Sequence, residues 1–113
     1  AGEKIRAALA AKPFDPPSRK ELITDAAAQK ALRFLSETGD VVVINEEVLL
    51  SAEARVQMKS LLAQALRERG PSTVSELRQA LGTTRRVLVP LLERCDRDGL
   101  TSRQGDRRTL RSP

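Results

Sequence analysis

Arginine is the residue in this chain best placed to do chemistry, and it gathers in two clusters near the end of the sequence. Thr83-Thr84-Arg85-Arg86 opens a segment of helical pattern; Arg103-Gln104-Gly105-Asp106-Arg107-Arg108 follows it, with Arg111 close behind. A guanidinium stays charged at physiological pH and presents a planar fork of N–H donors, so it grips phosphate oxygens in pairs and stacks on exposed bases. The start of a helix adds backbone N–H groups and a partial positive charge. Arg85 and Arg86 there are slightly unfavourable for the helix alone, yet together with its amides they build an anion site. Thr83 and Thr84 add hydroxyls, one of them expected as the N-cap. Asp106 has two readings: a turn-former paired with a neighbouring arginine, or a carboxylate that accepts from a base edge.

Other chemistries are poorly provided for. The sequence has no His, so a Ser-His triad, an imidazole base and the usual zinc sites cannot be assembled. Its single Cys, Cys95, continues a leucine stripe and reads as a small buried hydrophobe. No apolar run approaches the ~20 residues of a membrane span, and no signal-peptide pattern opens the chain. These features predict a binding protein of the reducing cytoplasm, with no catalytic set, metal, cofactor or membrane contact.

The charge distribution points the same way. The net charge is +5, but residues 1–50 carry 7 basic and 8 acidic side chains, whereas residues 51–113 carry 13 basic and 7 acidic. Twelve of those 13 are Arg. An arginine-rich half beside a near-neutral half suggests a polyanionic partner for one module only.

The elements that would hold these arginines repeat. In residues 51–113, Met58, Leu61, Leu62 and Ala65 form one helical stripe ended by Gly70-Pro71. Thr73 and Glu76 have capping-box spacing, Leu77 and Leu81 face inward, and Gly82 turns the chain. The helix from Thr84 buries Leu88, Leu91, Leu92 and Cys95 and turns Arg86, Pro90, Glu93 and Arg97 outward; Asp98-Gly99 ends it. Pro90 lacks an N–H, so the Arg86 carbonyl loses its helical partner, a defect tolerable on a solvent face. Two short strands then flank a Gly105-Asp106 turn.

Residues 1–50 follow the same plan more loosely. Ile5, Ala8 and Leu9 line a first helix, and Pro13 and Pro16-Pro17 break it. Ser18 to Glu21 repeats the capping-box spacing, and Ala28, Ala31, Leu32 and Leu35 line a helix that stops at Gly39. Two apolar strands surround Asn45-Glu46. With only two aromatics in the chain, Phe14 and Phe34 are expected to anchor cores made mostly of Leu, Ala and Val. Three helices and a hairpin, twice over, is the order of a winged helix-turn-helix. The fold class expected is therefore mostly α with small β-hairpin wings, as two tandem modules, 1–50 and 51–113. The first offers little to nucleic acid. Lys30 and Arg33 face outward beside Glu37, and the hairpin tip Asn45-Glu46-Glu47 would repel phosphate, so a spacing or docking role fits it.

The second module resembles the last winged-helix module of the bacterial selenocysteine-specific elongation factor (SelB type). The resemblance rests on Thr83-Thr84-Arg85-Arg86, Pro90-Leu91-Leu92-Glu93, Asp96-Arg97, Gly99, Thr101, Arg103 and Gly105-Asp106-x-Arg108, an ordered set within about thirty residues. It covers residues 72–113 well, and residues 1–71 only in layout. It implies an RNA-binding tail that holds the selenocysteine insertion hairpin of the messenger. Thr83 to Arg86 and Arg103 to Arg108 would be the gripping residues. The full-length factor would bind GTP and Mg²⁺ and would deliver selenocysteinyl-tRNA to the ribosome. This chain has no phosphate-binding Gly-Lys-Ser/Thr loop and is expected to act as a monomer without a cofactor. Thr84-Arg85-Arg86 departs from the family's Ser-Arg-Lys, and Arg94-Cys95 from its frequent aromatic pair. Two rivals remain on the residues alone: a winged helix reading duplex DNA with Arg86, Pro90 and Arg97 in the major groove, or an adaptor docking on acidic protein surfaces.

Overall fold

Each periodic segment becomes a helix, and each glycine expected to stop one does so. In the computed structural model, which describes residues 2–111, the order is α1 (Gly2–Ala11), α2 (Arg19–Leu22), α3 (Ala26–Thr38), β1 (Val41–Val43) and β2 (Leu49–Ser51). It continues with α4 (Ala52–Arg69), β3 (Ser72–Thr73), α5 (Val74–Leu81), α6 (Arg85–Asp98), β4 (Thr101–Gln104) and β5 (Arg107–Leu110). The chain is mostly helical with two small antiparallel sheets. It divides into two compact units, with the boundary after Val56. No described helix is long and apolar enough to cross a membrane.

In the first unit, Ile5 and Leu9 of α1 meet Leu32 and Leu35 of α3, with Val41 and Leu49 of the hairpin completing the cluster. Each such side chain contributes about 1.5–3 kcal/mol on burial. Asp25 caps α3, its Oδ1 accepting from the Ala28 N–H at 2.7 Å. Ser18 forms half of its expected box: its hydroxyl accepts from the Glu21 N–H and donates to the Glu21 carboxylate. In the β1–β2 turn the Asn45 side chain accepts from the N–H groups of Glu47 and Val48, which closes the tip locally.

Phe34 departs from expectation. It is 61% exposed and anchors nothing, because the stripe that includes Leu32 and Leu35 leaves position 34 on the far side of α3. Leu61 is a second correction. The buried stripe of α4 runs through Met58, Leu62, Ala65 and Leu66, and Leu61, 37% exposed, falls off its edge.

The second unit is built around α6. Val87, Leu88, Leu91, Leu92 and Cys95 are all buried, as are Leu77 and Leu81 of α5, which packs on α6. Thr73 and Glu76 form the full capping box: the Thr73 hydroxyl accepts from the Glu76 N–H at 3.2 Å, and the Glu76 carboxylate accepts from the Thr73 N–H at 2.8 Å. The sheet holds a strand that pattern reading missed. Its order is β3-β5-β4, so the two-residue β3 pairs with β5 and makes β5 the central strand.

Candidate nucleic-acid interface

The turn from α5 to α6 sets the first arginine cluster. Gly82 takes a left-handed φ of +69°, and the Gly82 and Thr83 N–H groups both return to the Arg78 carbonyl. Thr83 is then buried, at 6% exposure, so it supports the turn from inside. Thr84 takes the N-cap position in extended conformation, but its side chain makes no capping hydrogen bond and the first turn of α6 has no acidic residue. The contrast with the fully boxed α5 is physical: no carboxylate in the first turn offsets the positive end of the α6 dipole. Arg85 and Arg86 are both exposed there.

The wing sets the second cluster. Arg103 pairs with Arg108 and Gln104 with Arg107 across β4 and β5, leaving Gly105-Asp106 as a two-residue turn. Gly105 has φ +66°, and no other residue type enters that region without strain. No described non-glycine residue has positive φ, so the turn has the geometry expected with Gly first. Arg103 Nε donates to the Gly105 carbonyl at 3.0 Å, which folds its side chain along the turn. Gln104, Asp106 and Arg107 are exposed.

These clusters meet. A cavity of about 270 Å³ is lined by Arg85 from the α6 start, by Arg103, Asp106 and Arg108 from the wing, and by Thr73, Val74 and Ser75 from the α5 start. The three α5 positions were not anticipated as site residues, although the capping box marks them as a helix start. Thr83, Thr84, Arg86, Gln104, Gly105 and Arg107 flank the cavity in sequence and do not line it. A second cavity, of about 450 Å³, lies beside Glu93, Asp96, Arg97, Arg103 and Arg108.

Arg108 corrects the sequence reading. It is only 5% exposed, and its Nη2 donates to Asp96 Oδ2 at 2.8 Å while its Nε lies 3.2 and 3.3 Å from the two carboxylate oxygens. Thr101, also buried, donates its hydroxyl to Asp96 Oδ1 at 2.6 Å. The Arg108 charge is therefore countered within the fold by Asp96, although the side chain still lines both cavities. Burial alone would raise the Asp96 carboxyl; the bonds from Arg108 and Thr101, with the field of Arg108 and Arg103, outweigh it and hold the group below the usual carboxylate range. Glu76 is also lowered, by the backbone and side-chain bonds of its capping box with Thr73, against a small burial effect and with help from Arg107 and Arg69.

Basic groups from a helix start and a wing, converging on one cavity, are a frame for a phosphate chain. The family described as "Elongation factor SelB, winged helix" matches residues 64–110, a span that contains every residue lining the cavity. Residues 64–110 are a SelB-type winged helix. Among solved structures, the mRNA-binding domain of elongation factor SelB from E. coli, in complex with SECIS RNA, is 27% identical with a TM-score of 0.67. That match covers 79% of this chain and 74% of the E. coli one. A bacterial selenocysteine-specific elongation factor, EF-Sec, is 25% identical with a TM-score of 0.74 over 98% of this chain. This chain spans 18% of the length of that factor. No curated protein sequence matches it.

Proposed function

We propose that this chain is the mRNA-hairpin-binding portion of a selenocysteine-specific translation elongation factor, working in the cytoplasm. The observation that carries the proposal is the cavity joining Arg85 at the α6 start to Arg103 and Asp106 of the wing, within a SelB-type winged helix. Arg85, Arg103 and Arg107 would hold phosphates, with Arg86, Thr83, Thr84, Gln104 and Gly105 shaping the path of the RNA around them. Asp106 is exposed at the wing tip and lines the cavity, which supports a base-edge role alongside its place in the turn. The chain's own part is binding, without cofactor; GTP, Mg²⁺, selenocysteinyl-tRNA and the ribosome belong to the longer factor it would serve.

The first unit is proposed as a second winged-helix module, on the strength of its three helices and hairpin in the same order. Its acidic tip at Glu46 and Glu47 argues for spacing or docking over RNA contact.

The test is a titration with the hairpin that follows an in-frame UGA codon in the same genome, set against a loop-mutated copy and a duplex DNA. Preference for the intact hairpin, with affinity falling steeply as salt rises, is the expected result. Equal or tighter binding to duplex DNA would overturn it.

A further inference from the structure

We infer that Asp96 is a positioning residue for RNA recognition: it fastens both strands of the wing to α6 and so fixes where the wing cations stand relative to Arg85. The inference rests on the RNA-binding reading above and adds to it a residue that touches no RNA.

Besides Asp96, the wing is held by the short pairing of β3 with β5 at Arg107 and Arg108 and by the Leu100 N–H, which donates to the Cys95 carbonyl at the end of α6. β4 and β5 are four residues each and β3 only two, so few backbone bonds set the angle of this small sheet against α6. Asp96 supplies an anchor to each long strand separately. Thr101, at the start of β4, donates to Oδ1; Arg108, in β5, reaches both oxygens. Thr101 and Arg108 are among the few buried polar side chains of the described residues, at 1% and 5% exposure. One carboxylate thus ties the start of β4 and the tip-side half of β5 to the C-terminal half of α6.

The geometry turns that tie into a lever. Asp96 lies eleven residues beyond Arg85, or about 16 Å along the helix at its usual rise. Arg103 stands directly across from Arg108, and Arg107 is the next residue toward the tip. From Arg108 to the Gly105-Asp106 turn is about 7–10 Å of strand, so a tilt of roughly 20° about Arg108 moves the tip by about 3 Å. A displacement of that size separates a guanidinium from its phosphate, because charge-assisted bonds need about 2.7–2.9 Å. Buried ion pairs are often no better for stability than apolar packing, so fixing one arrangement is the more telling use of this one.

Asp96→Asn separates the roles. It keeps the size and one acceptor oxygen, removes the charge that orients Arg108, and raises net charge by one. In the full chain, folded at the assay temperature, affinity for the intact UGA-associated hairpin should fall about 10-fold. Affinity for the loop-mutated copy should hold or rise, so discrimination collapses, and the salt slope for the intact hairpin should drop by about one as a wing phosphate contact is lost. Should Asp96→Asn fail to fold, Thr101→Val, which removes a single bond, should show the same loss of discrimination in smaller degree. A folded variant with wild-type discrimination and salt slope would make Asp96 a fold stabiliser only and overturn the inference, leaving the RNA reading standing. A wild-type chain that itself shows no preference for the intact hairpin would overturn both.

Discussion

The Arg108 guanidinium meets the Asp96 carboxylate at 2.8 Å, joining the central strand of the wing to α6 across twelve positions of sequence. The side chains are 6% and 25% exposed, so the pair is far from a surface ion pair of small value. Losing one partner leaves the other charge partly buried without its counter-ion, which typically costs about 3–5 kcal/mol. Arg108→Ala is expected at the lower end, about 3 kcal/mol, since Asp96 keeps some access to water. Urea denaturation of the variant beside Arg107→Ala, an exposed neighbour expected within about 0.5 kcal/mol of wild type, checks the difference.

That pair also marks where the sequence stops being legible. The α6 stripe of Leu88, Leu91, Leu92 and Cys95, the helix stops at Gly39, Gly82 and Gly99, and the Gly105-Asp106 turn are all local signals, and all are in the structure as read. Periodicity and turn chemistry need only neighbours along the chain. Arg108 looked like one more wing cation because its partner is non-local, and no pattern of nearby residues announces an ion pair between a strand and a helix. The two-residue β3 was hidden for the same reason: Thr73 read as a helix cap, and the strand character of Ser72 and Thr73 comes only from pairing with Arg108 and Arg107. Phe34 was misjudged on residue type, although the α3 stripe itself already pointed it outward.

RNA binding should depend on single arginines according to where they stand. Arg85→Ala removes a cation that lines the cavity, and Arg107→Ala one exposed on the wing. Each should weaken the UGA-associated hairpin by about 1–3 kcal/mol and lower the salt slope by about one. Lys30→Ala, on the outward face of α3 in the first unit, should leave both unchanged. A loss with Lys30→Ala equal to that with Arg85→Ala would move the interface to the first unit. Fluorescence anisotropy at several salt concentrations reads all three.

Stability should carry an acid limb set partly by Asp96. Its carboxyl titrates lower in the folded protein than in the unfolded chain, so its contribution is complete above the unfolded value of about 3.9 and is lost as pH falls through the folded one. Arg108, Arg103 and the Thr101 hydroxyl face it and favour the anion, while burial opposes them. As pH falls below about 5 the urea midpoint should fall, and it should fall less steeply in Asp96→Asn, which has no proton to take up there. Glu76, lowered by its capping box, keeps a residual limb in the variant. Equal slopes in the two proteins would mean that the Asp96 pairing persists in the unfolded chain or is absent from the folded one.

Pro90 stands in the middle turns of α6 and has no N–H to contribute to the helical ladder. The residue is half-buried on the side of α6 opposite the leucine stripe and lines neither the cavity at Arg85 nor the one beside Asp96. Restoring the N–H with Pro90→Ala should therefore raise stability, by about 1 kcal/mol. The gain stays below the ~3 kcal/mol of an ideal helix because the surrounding turn has already adapted to the ring, and because proline restricts the unfolded chain. Hairpin affinity should stay within about twofold, since the Arg85 and Arg86 turn is fixed by Gly82 and Thr83 upstream and not by the proline downstream. Thermal unfolding and an RNA titration on the same sample decide it. A tenfold loss of affinity in a stabilised Pro90→Ala protein would show that the bend at Pro90 aims the helix start at the RNA.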